Sequence, residues 1–471
     1  MRRTLISVSL DWTRPKDPPI SLGQASILAN LRYHKINTIN KAWSVNHANF
    51  DIKKVERFVM SHATRHTDLA LGAYVWHEPS TQSLLNNLRQ QNFPGRIILG
   101  GPQVSYTKRS IEDYYPQADI FIRGYAENAL AKLLTSHEQR PVIAGIHYAG
   151  EPDLGLSAKA ELNKLPSPFL TGIIKSQKFL RIETQRGCPF YCNFCQHSRP
   201  DIDIQRQYFP HSRIMEEARW ITNNPIIQDI AVVDPTFNSG PHYIEFLEQL
   251  IVGKYSGKIA LQCRAEMVRP EFLDVVERLN KTAHVVLEFG LQSIHKREQQ
   301  AIERPNNMKK INFVLEETKR RKIATEVSLI FGLPHQTLMS FQQSVDYCKD
   351  LGVPTIYAFP LMLLRGTPLH DQKQQLGLIE STDNPELAID RIQQHIPHVI
   401  ASPSFSYEDW RQMAKIAESL DSYNANQGYK KQSQAKMFQT LKHTFWNDNA
   451  IRKEDDSNIN NLLTNKMTKH T

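Results

Sequence analysis

Residues 181–200 read RIETQRGCPFYCNFCQHSRP and hold three of the chain's five cysteines. Cys188, Cys192 and Cys195 have the spacing Cys-x3-Cys-x2-Cys, and the apolar run FLRIETQ directly precedes them. A short apolar run of this kind predicts a strand. The three thiols therefore lie on a short loop that follows a predicted strand.

Composition places the chain in a broad class. It has 471 residues, of which 40% are hydrophobic and 22% charged, as expected of a globular protein with two or three domains. Asp11 and Arg14 interrupt the first apolar run, so no signal peptide is predicted, and no run approaches the roughly 20 apolar residues of a membrane helix. We expect a cytoplasmic protein without a membrane partner, whose thiols are reduced and serve metal binding or catalysis.

The net charge of +9 raises the question of a nucleic-acid partner, since Lys and Arg attract phosphates. The basic residues are spread along the chain, and no five of them are consecutive. This pattern favours a basic, solvated surface. A tRNA- or peptide-modifying enzyme is kept as an alternative, although neither a dedicated RNA-binding domain nor a winged helix is recognisable.

The first 150 residues alternate between short apolar runs and segments with helical spacing. The predicted strands are TLISVSL, LALGAYVW, RIILGGP and DIFIRG, and the predicted helices between them include LGQASILANLRYH and SLLNNLRQQN. This order predicts a doubly wound parallel sheet of the Rossmann-like type, an α/β fold. Gly100 and Gly101 directly follow one strand, where they permit a tight turn or the close approach of a ligand.

A proline-containing segment, residues 151–169, is predicted to be an interdomain linker that few contacts cross. Residues 170–370 then alternate more regularly, with strands FLRIETQ, DIAVVD, KIALQC, HVVLEFG, ATEVSLI and TIYAFPL separated by helical segments. Six such units predict a partial (β/α)6 barrel, in which chemistry gathers at the C-terminal strand ends. The cysteines follow the first strand, at such an end.

Three closely spaced thiols fit some metal groups better than others. A structural zinc ion takes four ligands, and Cys263 and Cys348 stand singly, so only a Cys3His site with His197 is conceivable. A cubic [4Fe–4S] cluster fits better, because three thiolates on one loop hold three irons and leave the fourth for a non-protein ligand.

The cysteine spacing, with Phe194 before the last cysteine, resembles the signature of the radical S-adenosylmethionine (SAM) superfamily. The resemblance implies a [4Fe–4S] cluster whose open iron chelates SAM, and reductive cleavage of SAM to a 5′-deoxyadenosyl radical. It also implies an external electron donor such as flavodoxin or ferredoxin. A non-catalytic iron–sulfur protein is the remaining alternative, but it would not need the further motifs that follow.

Several strand ends resemble the cofactor-binding motifs of that superfamily. VVDPTFN resembles the acidic motif that contacts the amino group of SAM. LQCRAEM contains Arg264 and Glu266, a pair of side chains that could contact the carboxylate and ribose of SAM. LEFGLQS resembles the motif that faces the adenosine of SAM. IFGLP, residues 330–334, resembles the turn after the fifth strand that packs against adenine. LLRGTPL, residues 363–369, resembles the segment after the sixth strand that is common in radical SAM enzymes with an N-terminal cobalamin-type domain. The cofactor-binding residues that the resemblance implies are Phe194, Asp234, Thr236, Asn238, Arg264, Glu266, Glu288, Gln292 and Ser293.

RIILGGPQVS and ADIFIRGYAENAL are similar to the paired turns of the cobalamin-binding domain that precedes the barrel in many of these enzymes. The resemblance implies that backbone near Gly100 and Gly101 lies against the corrin's nucleotide tail. The chain departs from the pattern in two places: it lacks an Asp-x-His-x-x-Gly motif, and Gly124-Tyr125 replaces a glycine–glutamate pair, with Glu127 retained.

The resulting prediction is a radical SAM enzyme with a cobalamin-type domain at 1–150 and a barrel at 170–370. With cobalamin bound, methylation of an unactivated carbon or phosphorus of a small molecule is expected; without it, an oxidoreductase-type reaction. SPSFSYEDWRQMAKIAESL belongs to a predicted helical extension, residues 371–425. Residues 426–471, with KMFQTLKHTFW as one short helix, are predicted to be a mobile tail.

Overall fold

In the computed structural model, the described residues are 3–13, 17–18, 20–197, 206–382 and 396–426. The predicted tail lies outside them, apart from Asn426. Within these ranges, no helix is long and apolar enough to cross a membrane.

The N-terminal part, up to residue 150, contains a six-stranded sheet in the order β2-β1-β3-β4-β5-β6, parallel except for β6. Its strands are β1 Thr4–Asp11, β2 Thr38–Ser44, β3 Thr67–Gly72, β4 Arg96–Gly100, β5 Ile120–Ile122 and β6 Ile146–Tyr148. Its helices are α1 Leu22–Tyr33, α2 Ile52–Ser61, α3 Glu78–Gln90, α4 Pro102–Ser105, α5 Ile111–Tyr114 and α6 Ala126–Thr135. A 3-10 turn, Val75–His77, joins β3 to α3.

Helices cover both faces of this sheet, which explains why β1 is apolar at consecutive positions. Ile6 belongs to a buried cluster with Val55 and Leu85, from α2 and α3. The neighbouring Leu5 packs on the other face with Leu31 and Leu133, from α1 and α6. The doubly wound α/β arrangement predicted from the sequence is confirmed. The sequence reasoning missed β2, whose side chains are half-buried or exposed, and the short antiparallel β6.

The second part is a parallel six-stranded sheet in the order β7-β10-β11-β12-β13-β14. Its strands are β7 Phe179–Ile182, β10 Asp229–Val232, β11 Lys258–Cys263, β12 His284–Gln292, β13 Ala324–Phe331 and β14 Thr355–Pro360. Two further strands, β8 Gln185–Arg186 and β9 Gln207–Tyr208, pair with each other after β7. The helices are α7 His211–Thr222, α8 Tyr243–Val252, α9 Pro270–Leu279, α10 Lys296–Ala301, α11 Met308–Arg320, α12 Leu338–Asp350 and α13 Pro368–Asp371.

The strands of this sheet follow one another in chain order and are parallel, so all their C-terminal ends meet at one edge. In β13, buried Val327 and Leu329 pack with the helices, whereas Glu326 and Ser328 alternate with them and are only half-buried. Glu326 lies beside Glu288 of β12 in register. The sheet therefore has one apolar face under helices and one more polar face, as expected of the predicted partial barrel.

The connecting segment differs from the prediction for residues 151–169. Ala158 pairs with Gly124 of the N-terminal part, while Leu162, Leu165 and Phe169 are buried in the core of the second sheet. The segment is therefore packed against both parts because its apolar side chains complete the second core. After the sheet, β15 Ile379–Ser381 and β16 His398–Ala401 pair antiparallel, and α14 Tyr407–Asn426 packs along β14 through residues such as Asn424. The extension thus contains a two-stranded pairing as well as its helix.

Candidate active site

The three cysteines lie on the loop between β8 and β9, at the C-terminal edge of the second sheet. Gly187, directly before Cys188, has φ +80°, a conformation that glycine adopts without steric cost. The Cys195 N–H donates to the Cys192 carbonyl at 3.0 Å, closing a turn between the last two thiols. Cys192 is buried, and Cys188 and Cys195 are half-buried. This is the position that the sequence predicts for them.

Each sulfur has a hydrogen-bonding neighbour. Thr236 Oγ1 lies 3.4 Å from Cys188 Sγ, Arg304 Nη1 donates to Cys192 Sγ at 3.5 Å, and the His197 N–H donates to Cys195 Sγ at 3.5 Å. The Thr236 hydroxyl donates to the Pro235 carbonyl at 2.8 Å, so among the described residues only Arg304 and the His197 N–H are donors to sulfur here. Such donors stabilise thiolates, the form in which cysteine binds metal.

The pKa of Cys195 reflects its burial close to the other two cysteines. Burial, together with the neighbouring Cys192 and Cys188 thiols, raises it to about 11, against the opposing effects of the His197 N–H and Arg304. Three mutually repelling thiolates need a shared positive partner. A cubic iron–sulfur cluster with three thiolate ligands supplies one, so the donor set fits that group. Among the described residues, no three His, Cys, Asp or Glu side chains are arranged to hold a single metal ion.

Asp234, after β10, fixes the segment that leads to the cysteines. Its carboxylate is fully buried and accepts hydrogen bonds from the backbone N–H groups of Thr184 at 2.7 Å and Gln185 at 3.2 Å, and from the Thr184 hydroxyl. Burial raises the pKa of Asp234 to about 7, although these donors oppose the shift. The sequence resemblance placed Asp234 at the SAM amino group; here its hydrogen bonds tie β10 to the end of β7.

The other residues of the strand-end motifs also contact one another. The Asn238 side chain pairs with the backbone of Arg264, donating to its carbonyl and accepting from its N–H, both at 2.9 Å. Arg264 forms an ion pair with Glu266 at 2.9 Å, and its guanidinium lies 4.3 Å from the centre of the Phe190 ring. The pair predicted for SAM's carboxylate and ribose thus packs on the cysteine loop.

The end of β12 brings together buried polar atoms. Gln292 has φ +66°, and its Oε1 has no hydrogen-bond partner within the described ranges. Asn193 Oδ1, Arg304 Nε and Asn306 Oδ1 are likewise buried without a hydrogen-bond partner among these residues. Buried polar atoms are normally paired, so such a group indicates a polar ligand.

The remaining predicted residues of this region have varied surroundings. Ser293 donates to Glu298 at 2.5 Å in the interior, and Phe194 packs against the apolar core. Glu288 lies on the more polar face of the sheet. In the turn after β13, Gln336 Oε1 accepts from the N–H groups of Gly332 and Leu333, at 2.7 and 3.2 Å.

Sequence reasoning missed Arg304. It lies 112 positions from Cys192 in the chain, in the polar stretch ERPNN that follows α10. The only signal was a run of polar residues after a strand-end motif, which does not identify a contact with a particular cysteine.

The glycine turn lies at the C-terminal end of β4, as predicted, and its two glycines differ. A Cβ on Gly100 would meet only the Ile122 carbonyl, at 3.6 Å. Gly101 has φ +87°, and a Cβ there would lie 2.8 Å from the Ala73 carbonyl oxygen. Gly101 is therefore required by the turn itself, whereas the surroundings of Gly100 would accommodate a Cβ. Nearby, the rings of Tyr74 and Trp76 stack with centres 4.7 Å apart.

This edge of the N-terminal sheet faces the cysteine side of the second sheet. Gly366, in the run after β14, approaches Tyr106 so closely that a Cβ on Gly366 would overlap the Tyr106 carbonyl. Lys108 and Asp371 form an ion pair at 2.8 Å across the same boundary. The C-terminal strand ends of the two sheets therefore border a shared region.

The chain resembles known proteins in both sequence and fold. Residues 182–348 match the radical SAM superfamily. The chain is 25% identical over 341 residues to the cobalamin-dependent radical SAM methyltransferase TokK of Streptomyces tokunonensis, a match covering 66% of this chain and 49% of TokK. It is 26% identical over 342 residues to the 2-(S-pantetheinyl)-carbapenam-3-carboxylate methyltransferase of Streptantibioticus cattleyicolor, with coverages of 66% and 49%. The chain spans about half the length of these curated relatives.

Two solved structures share the fold. The radical SAM methyltransferase TsrM of Kitasatospora setae, solved with cobalamin and a [4Fe-4S] cluster, matches with a TM-score of 0.67 at 13% identity, covering 90% of this chain and 89% of TsrM. The cobalamin-dependent radical SAM enzyme OxsB matches with a TM-score of 0.65 at 14% identity, covering 94% of this chain and 71% of OxsB. The chain therefore carries a radical SAM domain at residues 182–348, preceded by an N-terminal domain, in the fold of these two enzymes.

Proposed function

We propose that this chain is a radical SAM enzyme whose [4Fe–4S] cluster is held by Cys188, Cys192 and Cys195. One observation carries the proposal: three thiols lie at the C-terminal end of the first strand of a parallel six-stranded sheet, each with a hydrogen-bonding neighbour. When bound, the cluster supplies the electron that cleaves SAM reductively, and this starts the reaction.

The protein's own residues hold the thiolates and shape the loop. Arg304 and the His197 N–H donate to the sulfurs of Cys192 and Cys195 and stabilise negative charge on them, and Thr236 lies beside Cys188. Asp234 fixes the strand end from which the loop departs, and Arg264 packs on its Phe190 ring. These contacts position the cysteines.

SAM binds beside Cys192, at the end of β12. Asn193, Gln292, Arg304 and Asn306 each contribute a buried polar atom without a partner among the described residues, and these atoms would meet the polar groups of SAM. Asn238 and Asp234 do not contact SAM in this proposal. They support its site indirectly, because their side chains hydrogen-bond to the backbone at the strand ends.

The N-terminal domain binds cobalamin, and the reaction is methylation of a small molecule. The position of Gly100 at the C-terminal end of β4 and the shared region between the two sheets support this assignment, since open α/β sheets bind ligands beyond their strand carboxyl ends. The names of the two methyltransferase relatives agree with it. The enzyme needs an external electron donor of the flavodoxin or ferredoxin type.

Anaerobic reconstitution with iron, sulfide and hydroxocobalamin tests the proposal. We expect about four irons per chain, a corrin that is retained through gel filtration, and, on reduction with SAM, both 5′-deoxyadenosine from reductive cleavage and S-adenosylhomocysteine from methyl transfer. Absence of iron and of SAM cleavage would refute the radical SAM assignment. Iron and 5′-deoxyadenosine without any retained corrin would instead establish the cobalamin-independent, oxidoreductase-type alternative.

A further inference from the structure

The described cysteine segment, residues 187–197, is connected to the N-terminal domain on two sides. Arg186, directly before it, forms an ion pair with that domain, and Gln196 within it is hydrogen-bonded to Arg365, which forms another. On the first side, Arg186, two residues before Cys188, forms an ion pair with Glu127 of α6 at 2.8 Å. Its guanidinium also bonds Glu183 at 2.7 Å and lies over the Tyr125 ring at 5.0 Å. The Arg186 and Glu127 side chains are only 10% and 5% exposed.

Glu127 is itself held rigidly. The Ser26 hydroxyl of α1 donates to its carboxylate at 2.9 Å, and Asn30 donates to its backbone carbonyl at 2.8 Å. Burial alone would raise the pKa of Glu127, but Arg186 and Ser26 hold that pKa below its usual value, so the carboxylate is charged. Removing one partner of a buried ion pair is costly because it leaves the other charge uncompensated.

On the second side, Arg365 of the run after β14 forms an ion pair with Glu78 of α3 at 2.9 Å. Tyr115 and Gln103 donate to the same Glu78 carboxylate. The Arg365 carbonyl accepts from Gln196 Nε2 at 2.8 Å, directly after Cys195. A few residues further on, the Leu369 N–H donates to the Asn193 carbonyl at 3.0 Å.

We propose that the N-terminal domain clamps the cysteine loop through these two ion pairs, which makes Glu127 and Glu78 positioning residues for the cluster ligands. Neither glutamate touches a cysteine: each acts through an arginine, Arg186 before Cys188 and Arg365 beside Gln196. The N-terminal domain is in this way a structural part of the cluster site, in addition to any ligand it binds. The inference rests on the proposed cluster.

The test compares iron release from the reconstituted full chain. Wild type, Glu127→Gln and Glu78→Gln are mixed anaerobically with a ferrous chelator well below their unfolding temperatures. We expect each variant to release iron about 10-fold faster than wild type, the scale typical of residues that orient metal ligands. Glu217→Gln is the matched control: the Arg213–Glu217 pair has the same 2.8 Å separation and similar exposure, 10% and 6%, but lies within α7. It should release iron at the wild-type rate.

A double-mutant cycle separates positioning from general destabilisation. If Glu127 acts through Arg186, adding Glu127→Gln to Arg186→Met should produce no further acceleration. Wild-type release rates in both glutamate variants, or equal acceleration in Glu217→Gln, would overturn the inference. If wild type itself takes up no iron, the proposed function fails instead. Should Glu127→Gln not fold, Glu78→Gln tests the same clamp from the other side.

Discussion

Arg304 donates a hydrogen bond from Nη1 to the Sγ atom of Cys192 across 3.5 Å, and its Nη2 donates to the Gly290 carbonyl. The two residues come from different strand ends of the same sheet. A cationic donor on a cluster thiolate favours the reduced, more negative state of the cluster. We therefore expect Arg304 to raise the reduction potential of the proposed cluster, in addition to its role in the proposed SAM site.

Replacing Arg304 should lower the reduction potential of the cluster. We expect Arg304→Met to shift the midpoint to more negative values and to slow SAM cleavage about 10- to 100-fold, the range typical of residues around a metal site. Redox titration followed by electron paramagnetic resonance measures the midpoint without depending on turnover. Arg320→Met, at an exposed arginine paired with Glu317, should leave the midpoint unchanged. An unshifted midpoint in Arg304→Met would contradict the assignment.

The cysteines divide into two groups by their surroundings. Cys188→Ala, Cys192→Ala and Cys195→Ala should each abolish SAM cleavage and lose bound iron, because each removes one of the three thiolates. Cys348→Ala should retain nearly all of its iron, since the Cys348 thiol is buried in the core and burial raises its pKa to about 12. Cys263→Ala should behave like Cys348→Ala. Iron analysis and 5′-deoxyadenosine assays decide, and loss of the cluster in either of these two variants would contradict the three-ligand assignment.

The raised pKa of Asp234 predicts a pH-dependent contribution to stability. The folded protein keeps this proton up to about pH 7, whereas the unfolded chain releases it near the ordinary value of 3.8. Between these values the folded state binds more protons, so the Asp234 contribution to stability falls as pH rises. Asp234→Asn should therefore gain about 2 kcal/mol relative to wild type between about pH 5 and about pH 7.5.

Asparagine can preserve the Asp234 hydrogen bonds. Its Oδ1 can accept from the N–H groups of Thr184 and Gln185, and the Thr184 hydroxyl can reverse to accept from Nδ2. Asp234→Asn should thus retain iron, while Asp234→Ala, which leaves those donors unpaired, should lose it. Denaturant titrations at several pH values provide the measurement, and a stability difference that does not change with pH would show that Asp234 is ionised throughout.

The two glycines after β4 should respond differently to the same substitution. A Cβ on Gly100 meets only the Ile122 carbonyl, at van der Waals distance, so we expect Gly100→Val to lose corrin retention while keeping normal iron content and thermal stability. Gly101→Val combines a positive φ with a clash against Ala73 and should lower stability by about 1 to 3 kcal/mol. Gel filtration with hydroxocobalamin and thermal denaturation distinguish the two. Normal corrin retention in Gly100→Val would remove this turn from the binding site.

Much of the fold was predictable because local patterns encode it. The apolar runs and helical spacing predicted all six strands of the second sheet and the longer helices between them, but not the short α10. The packing of residues 157–169 was not predictable, since their isolated apolar residues acquire meaning only beside the finished core. Likewise, β2 is an edge strand with polar, exposed positions, and such a strand has a weak hydrophobic signal.

The sequence by itself determined the alternation of strands and helices, the position of the cysteine loop after the first strand, and the glycine turn after β4. Only the tertiary structure decided which polar side chains meet: Asp234 with Thr184, Arg304 with Cys192, and Glu127 with Arg186. The physical reason is the sequence separation over which each kind of interaction acts. Periodicity and turn chemistry act over a few neighbouring residues, whereas these hydrogen bonds and ion pairs join residues 50 to 112 positions apart, and they form only once the sheets bring their strand ends together.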